Sequence, residues 1–137
     1  MGDRSSIIIR QNHHANDQGI EIYGHWAGVG IVNNLQKALT RAEDRWDDEE
    51  YFTRIIIQNI LDDISIANSS TGCGIEIVEN YKKSGHLDLE YPPVIVDATE
   101  RKVFIGNSMF YFRDIVDMDS EVVLQMLQGA MLGNDEK

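Results

Sequence analysis

The sequence predicts an α+β domain in which helices pack on one face of an antiparallel sheet of about five to six strands. Its segments come in the order strand pair, helix pair, run of short strands and helix. Successive strands this close in sequence pair mostly antiparallel, because a parallel pair needs a long crossover. The 137 residues suffice for one core and are too few for two. We therefore expect a single domain over residues 1–137, with two central helices and a C-terminal helix.

The first two strands are predicted as a β-hairpin near the N-terminus. Residues 7–11 form a short apolar run, and residues 20–26 alternate roughly between apolar and polar side chains. Between them, Asn16, Asp17 and Gly19 supply the residue types that favour a turn.

Two helices are predicted to follow the hairpin. The first covers residues 31–44, and its apolar positions recur at helical spacing: Ile31, Leu35, Ala38, Leu39 and Ala42. The second covers residues 49–64 after the acidic run at residues 47–50, whose carboxylates are favoured in the first turn of a helix. Apolar residues occupy more than half of its circumference, so we expect it to be the central buried helix.

The second half of the chain is predicted to be mainly strand. After a loop at residues 67–74, the hydrophobic pattern changes to period two in the segments 74–79, 86–90, 94–97 and 102–105. Residues 109–116 are predicted as another strand or as an irregular aromatic segment. Asp119 and Ser120 cap a last helix over residues 121–132, which ends at Gly133 and buries Val122, Val123, Met126, Leu127 and Met131.

The composition of the chain narrows the classes of molecule that we expect it to bind. The chain carries 23 acidic and 12 basic residues, a net charge of −11, and such a surface repels both duplex nucleic acid and anionic membranes. No apolar run has the length of a membrane span, and the N-terminus lacks the pattern of a secretory signal. The single cysteine, Cys73, excludes an intramolecular disulfide and fits a reducing compartment. We therefore expect a cytoplasmic protein without nucleic-acid or membrane partners.

The most informative stretch is the glycine-rich turn in front of the first predicted helix. Tyr23, His25 and Trp26 come just before Gly28 and Gly30, so aromatic rings would flank a helix start whose free N–H groups favour an anion. This combination suits a nucleotide-like ligand. The glycines form only a G-x-G pattern, and the alternative is a tight strand-to-helix corner in which the indole fills the core.

Two arginines are further candidates for binding a phosphate. Arg54 interrupts an otherwise apolar helix and must extend to solvent or meet an anion. Arg113 follows Phe110 closely, so a guanidinium and a ring could contact a phosphate and a base, and Asn107 could bind a base edge. The alternative for this second group is a core strand with one outward arginine.

Catalytic and metal-binding patterns are sparse. The chain has no P-loop, no G-x-S-x-G motif and no pair of carboxylates that stands out. The adjacent His13 and His14 face different ways in a regular element, and zinc-ligand spacings are missing. We predict a binding protein with no catalytic residue, no cofactor and no metal. A small enzyme that uses His25 or Cys73 is the alternative.

The segment Ile-Tyr-Gly-His-Trp-Ala-Gly at residues 22–28 resembles a motif of small phage and prophage proteins, in which a strand ends in a Tyr-Arg-His-Trp-Asp-Gly-like sequence. In that layout a helix pair, a Thr-Gly loop and an antiparallel sheet follow, and Thr71-Gly72 and residues 88–91 stand where the loop and the next strand are expected. Gly24 and Ala27 occupy the places of the arginine and the aspartate, so roles of those two side chains do not carry over.

Size and element order also resemble the phage anti-Thoeris sponge proteins, which capture a cyclic ADP-ribose signal in pockets between subunits. This resemblance implies a homo-oligomer that sequesters a nucleotide second messenger without cutting it, either a cyclic ADP-ribose isomer or a cyclic oligonucleotide. The competing hypothesis is an acidic inhibitor or DNA mimic that docks on a basic host protein. It rests on the net charge and on the acidic runs at residues 47–50 and 62–63.

Overall fold

A computed structural model of the chain describes residues 4–11, 17–24, 28–63, 73–86, 89–117 and 119–133, with the backbone alone at Val29, Asp63 and Ser120. Within these ranges the fold is α+β, as predicted. The strands are β1 (Ser5–Arg10), β2 (Gly19–Gly24), β3 (Cys73–Val78), β4 (Val94–Asp97), β5 (Lys102–Ile105) and β6 (Ser108–Tyr111). The helices are α1 (Ile31–Arg41), α2 (Glu49–Asp63), α3 (Phe112–Asp117) and α4 (Ser120–Met131).

The six strands form one mixed sheet in the order β3-β2-β1-β4-β5-β6. Four of the neighbouring pairs are antiparallel, including the predicted hairpin of β1 and β2. The central pair of β1 and β4 is parallel, so the sheet is mixed and mostly antiparallel. The reason is the long connection from β3 to β4, which crosses the sheet and is long enough to bring β4 in beside β1.

One face of the sheet, the front face, packs against the helices. It carries Ile7, Ile9 and Ile22, which are almost completely buried in a cluster shared with all four helices. Phe52 of α2 stacks on Phe112 of α3 with ring centroids 5.2 Å apart. Each fully buried aliphatic side chain stabilises the fold by about 1.5–3 kcal/mol, so this layer is the main hydrophobic core.

The helix ends follow local sequence signals. The Asp119 carboxylate accepts hydrogen bonds from the backbone N–H groups of Glu121 and Val122, which confirms the predicted cap of α4. The buried side of α4 is centred on Val123, Leu127, Ala130 and Met131, whereas the predicted members Val122 and Met126 are exposed. No helix in the described ranges is both long and apolar enough to cross a bilayer.

The opposite face of β1 and β2, the back face, is covered by the connection from β3 to β4 and is polar. It carries Arg10, whose guanidinium lies 3.9 Å from the Asp97 carboxylate and 4.3 Å from the ring centroid of Tyr81. Both charged side chains are nearly completely buried. Because alternate residues of a strand point to opposite faces, β1 and β2 place apolar side chains in front and mostly polar ones behind.

Two sequence predictions in the second half of the chain are corrected. The described residues of the segment 86–90 lie outside any strand, because this segment crosses the back face and Glu90 is bonded to Arg4 through backbone and side chain. The aromatic segment 109–116 is divided between β6 and α3. The helical turn forms there because Phe112 and Ile115, three residues apart, both enter the core.

Candidate functional site

The glycine turn lies where the sequence predicts it, at the N-terminus of α1. Gly28–Gly30 forms a 3-10 turn, in which Gly28 has a φ of +60° that favours glycine. Its carbonyl group accepts a hydrogen bond of 3.0 Å from the Ser5 hydroxyl group. Gly30 provides no side-chain cap for α1. His25 and Trp26 lie outside the described residues, so the predicted flanking rings stay a prediction.

A groove of about 580 Å³ runs along α2 and is open to solvent. Apolar side chains form its floor, and an arginine, two amides, a hydroxyl and a carboxylate stand around it: it is lined by Gln11, Glu50, Thr53, Arg54, Ile57, Gln58 and Leu61. Small-molecule sites of this size combine an apolar lining with a few fixed polar groups. The groove therefore combines a volume in this range with an apolar lining and a few polar groups.

Arg54 is the cation of this groove, and its partner is neutral. The guanidinium donates a hydrogen bond of 2.8 Å to the Gln58 side-chain carbonyl, one turn further along α2. No carboxylate in the described part of the chain forms an ion pair with it. The guanidinium is exposed and keeps donors free for an incoming anion, because one acceptor satisfies only one of its five N–H groups.

Arg113, the other predicted phosphate ligand, is already neutralised within the fold. Its guanidinium lies 2.6 Å from the Glu43 carboxylate, 3.3 Å from Asp117 and 4.7 Å from the ring centroid of Trp46. The hydrogen bond to Glu43 is the main reason why the pKa of Arg113 is raised. Two carboxylates facing one guanidinium leave little attraction for a further anion.

Asn107 and Phe110 lie near the β6 edge of the sheet. Asn107 is exposed in the turn between β5 and β6, and Phe110 is half-buried on β6. The ring lines a groove of about 360 Å³ between β6 and α4, whose other lining residues are Ser108, Met109, Gln125, Met126, Gly129 and Ala130. This groove lacks a charged side chain among its described lining residues.

The predicted binding residues are thus distributed over the molecule rather than gathered in one pocket. Gly28 contacts the first residue of β1, whereas the Arg54 groove reaches Gln11, just after the last residue of β1. Six extended residues separate these ends by about 20 Å. Phe110 belongs to the edge strand β6, three strands away from β1. Among the predicted ligand residues, Arg54 lines the groove along α2 and Phe110 lines the groove between β6 and α4, and only the α2 groove has charged side chains among its described lining residues.

Tyr23 belongs to a different cluster, on the back face. Its ring stacks on the His86 imidazole with centroids 3.8 Å apart and planes inclined by 16°. His86 Nε2 lies 3.4 Å from a carboxylate oxygen of Glu76 on β3. Glu76 is the direct neighbour of Glu21 in the pairing of β2 with β3, so both carboxylates share this face.

Glu21 is fully buried and is held by the loop that covers the back face. One of its oxygens accepts a hydrogen bond from the Ser84 hydroxyl group, and the other accepts one of 2.9 Å from the Gly85 N–H. The Ser84 oxygen in turn accepts a bond of 2.9 Å from the His86 N–H. A side chain at Gly85 would collide with the Glu76 carboxylate, so glycine permits the close approach of the loop.

This cluster of Glu21, Glu76 and His86 was missed by the sequence reasoning. The ligand-type atoms of the three residues lie within 4.8 Å of one another. The available sequence signal for this cluster was Glu21 itself. It is a carboxylate between Ile20 and Ile22, in a strand that pairs with a neighbouring strand on each side. The 55-residue gap to Glu76 and the loop position of His86 carry no recognisable ligand spacing.

Cys73, the proposed nucleophile of the enzymatic alternative, is poorly placed for that role. It lies half-buried on β3, and burial raises the pKa of its thiol. A nucleophilic cysteine needs the opposite shift. It is three residues from Glu76 on the same strand, so its side chain points to the front face while the His86 cluster lies behind.

The chain was compared with protein families, curated proteins and solved structures. It matches no family model, no curated protein and no solved structure.

Proposed function

We propose that the protein binds and sequesters a small nucleotide-like anion in the groove along α2, without chemical conversion. The observation that carries the proposal is the Arg54 guanidinium, which stands over an apolar floor without a carboxylate partner among the described residues. Two amides and a hydroxyl group stand beside it. A guanidinium can hold a phosphate through two parallel hydrogen bonds, and the floor of Ile57 and Leu61 suits the flat face of a base.

Charge around the groove favours a ligand with few negative charges. Glu50 lines the same groove one turn before Arg54 on α2, so the two side chains carry opposite charges. A carboxylate repels a polyphosphate but accepts hydrogen bonds from ribose hydroxyl groups or from a base amine. A cyclic nucleotide, with its phosphates esterified twice or linked in a ring, fits this balance better than a triphosphate does.

The resemblance to phage sponge proteins makes the proposal more specific. It supports a cyclic ADP-ribose isomer or a cyclic oligonucleotide as the ligand, and sequestration of a host defence signal as the biological role. It also supports a homo-oligomer, in which a second subunit would cover the open side of the groove. Light scattering with and without ligand would measure the oligomeric state.

Titration calorimetry with tag-free protein tests the binding proposal. The ligand panel comprises cyclic ADP-ribose isomers, cyclic di-AMP, cyclic di-GMP, AMP and ADP, and chromatography afterwards shows whether the ligand is intact. We expect saturable binding of a cyclic nucleotide that is recovered unchanged. Arg54→Ala should weaken binding at least about tenfold, since charge-assisted hydrogen bonds contribute about 1.5–3 kcal/mol.

Arg113→Ala is the matched control, because it removes an exposed arginine that Glu43 and Asp117 already neutralise. Affinity within about twofold of the wild type is expected for it, against a tenfold loss for Arg54→Ala. No binding across the panel, or equal affinity of the wild type and Arg54→Ala, would overturn the proposal.

An acidic inhibitor of a basic protein is the second candidate, and one surface feature favours it. The acidic run at the start of α2 lines a polar groove of about 580 Å³, which contains Gln11, Arg45, Asp47, Asp48, Glu49 and Glu50. Capture of a DNA-binding protein at low salt and its release at high salt are expected here. The double variant Asp47→Asn/Glu50→Gln should weaken that capture, and unchanged capture by it would exclude this surface.

A further inference from the structure

The back-face cluster contains more negative charge than the fold requires. Glu21 is completely buried, and Glu76 places a second carboxylate within 4.8 Å of it. No lysine or arginine in the described part of the chain forms an ion pair with Glu21. Two close carboxylates repel each other, and removing one of them from water adds a further cost. A cation between them would relieve both effects.

His86 completes a set of ligands with suitable spacing. Its Nε2 atom lies 3.4 Å from the Glu76 oxygen, too far for a good hydrogen bond. Two ligands of a tetrahedral zinc ion, each about 2.1 Å from the metal, are themselves about 3.4 Å apart. All three ligand atoms lie within 4.8 Å of one another, so a small contraction would bring them onto one ion.

The surroundings orient the ligands, as outer groups do in metal sites. Ser84 and Gly85 hold both oxygens of Glu21, and stacking on Tyr23 fixes the plane of the imidazole. The side chains of Glu76 and His86 remain 46% and 35% exposed, so an ion can enter from solvent.

A second observation points to a missing polar partner on this face. The Ser6 hydroxyl group is fully buried and has no hydrogen-bond partner among the described residues. Ser6 lies directly opposite Tyr23 in the pairing of β1 with β2, so it shares the face of the cluster. Buried hydroxyl groups are nearly always hydrogen-bonded.

We propose that Glu21, Glu76 and His86 bind one divalent transition-metal ion, of the zinc or manganese type, on the back face of the sheet. Carboxylate and imidazole ligands together suit such ions, and three protein ligands leave one position open for water. The site is on the opposite face from the α2 groove and is independent of nucleotide binding.

Competition with a chromogenic zinc chelator tests the site on the tag-free full chain. One zinc ion per chain is expected, together with a zinc-dependent rise of the melting temperature. His86→Ala and Glu76→Gln should each weaken zinc binding at least about tenfold. Both residues are partly exposed, and far-ultraviolet circular dichroism verifies that the variants are folded.

Three controls separate this site from other zinc ligands of the chain. Glu79→Gln removes an exposed carboxylate just after β3, Cys73→Ser removes the thiol, and a double variant replaces His13 and His14 by alanine. Each should leave one zinc ion bound with affinity within about threefold of the wild type. Glu21→Gln should abolish the zinc-dependent stabilisation while the metal-free protein stays folded. Equal zinc affinity of the wild type and the folded His86→Ala and Glu76→Gln variants would overturn the proposal, as would loss of binding in the controls alone.

Discussion

The two faces of the sheet at β1 and β2 are both buried, but by different means. The front face is covered by helices, and its contacts are almost entirely between aliphatic and aromatic side chains. The back face is covered by a loop, and it buries Ser6, Arg10 and Glu21. Apolar packing alone explains the front. The back contains charges that apolar packing does not require, and a buried hydroxyl group, that of Ser6, without a hydrogen-bond partner among the described residues.

The largest effect on stability is expected at the front face. Phe52→Ala removes a fully buried ring that stacks on Phe112, so it should lower the free energy of unfolding by about 3–5 kcal/mol. Urea denaturation measures the change. Tyr51→Ala is the control, because this neighbouring ring is half exposed and should cost about 1 kcal/mol or less. Equal costs of the two variants would contradict the assignment of the core.

The next effect is expected at the back face. Asp97→Ala removes the carboxylate 3.9 Å from the buried Arg10 guanidinium and the acceptor for the backbone N–H groups of Thr99 and Glu100. We expect a loss of about 3 kcal/mol in the free energy of unfolding. Asp117→Ala changes an exposed aspartate and should cost about 0.5 kcal/mol or less. A loss of less than about 1 kcal/mol for Asp97→Ala would show that the back-face charges do not support the fold.

A smaller effect is expected at the helix that closes the front layer. Asp119→Ala removes the cap of α4 and should lower the free energy of unfolding by about 1 kcal/mol. Asp62→Ala provides the contrast, since this exposed carboxylate lies at the C-terminal end of α2, where the helix dipole disfavours it. Thermal unfolding should show a lower melting temperature for the first variant and an unchanged or slightly higher one for the second. The reverse order would contradict the cap assignment.

The comparison of the faces also explains what the sequence could predict. The helical spacing of apolar residues predicted α1 and α2 nearly to their ends. This was possible because the apolar residues that pack on the front face recur in every turn of the helix. The apolar run at residues 7–11 located β1, and the alternation of residues 20–26 located β2. The fold class therefore followed from local patterns that apolar packing imposes.

The remaining features depend on contacts between distant segments. Nothing local distinguishes a β4 that pairs parallel with β1 from one that pairs antiparallel with an earlier strand. The segment 86–90 alternates like a strand. However, Glu90 is hydrogen-bonded to Arg4, and the loop before this segment is hydrogen-bonded to Glu21 through the Gly85 N–H. Glu21, Glu76 and His86 come together because of the register of β2 with β3 and the path of the loop. The spacing of these residues in the sequence predicts neither of the two.

The sequence identified Arg54 as a candidate ligand residue and did not predict the groove that it lines. Arg54 was identified because a lone arginine on an apolar helix needs either solvent or an anion, and the structure places it in a groove. Arg113 was identified by different reasoning, from the aromatic residues beside it and from Asn107. Arg113 contacts Glu43, which is distant in sequence, and Asp117, which lies on the following turn of its helix. Only these contacts distinguish the two arginines.

Backbone amide chemical-shift mapping by NMR tests the central claim, nucleotide binding at the α2 groove, most directly. Titration of ¹⁵N-labelled protein with the cyclic nucleotide panel detects weak binding as well as tight binding and locates it. We predict the largest shifts at Gln11, Thr53, Arg54 and Gln58, with few changes around Gly28 and along β6. Largest shifts at the glycine turn or at β6, or no shifts with any nucleotide, would contradict the proposal.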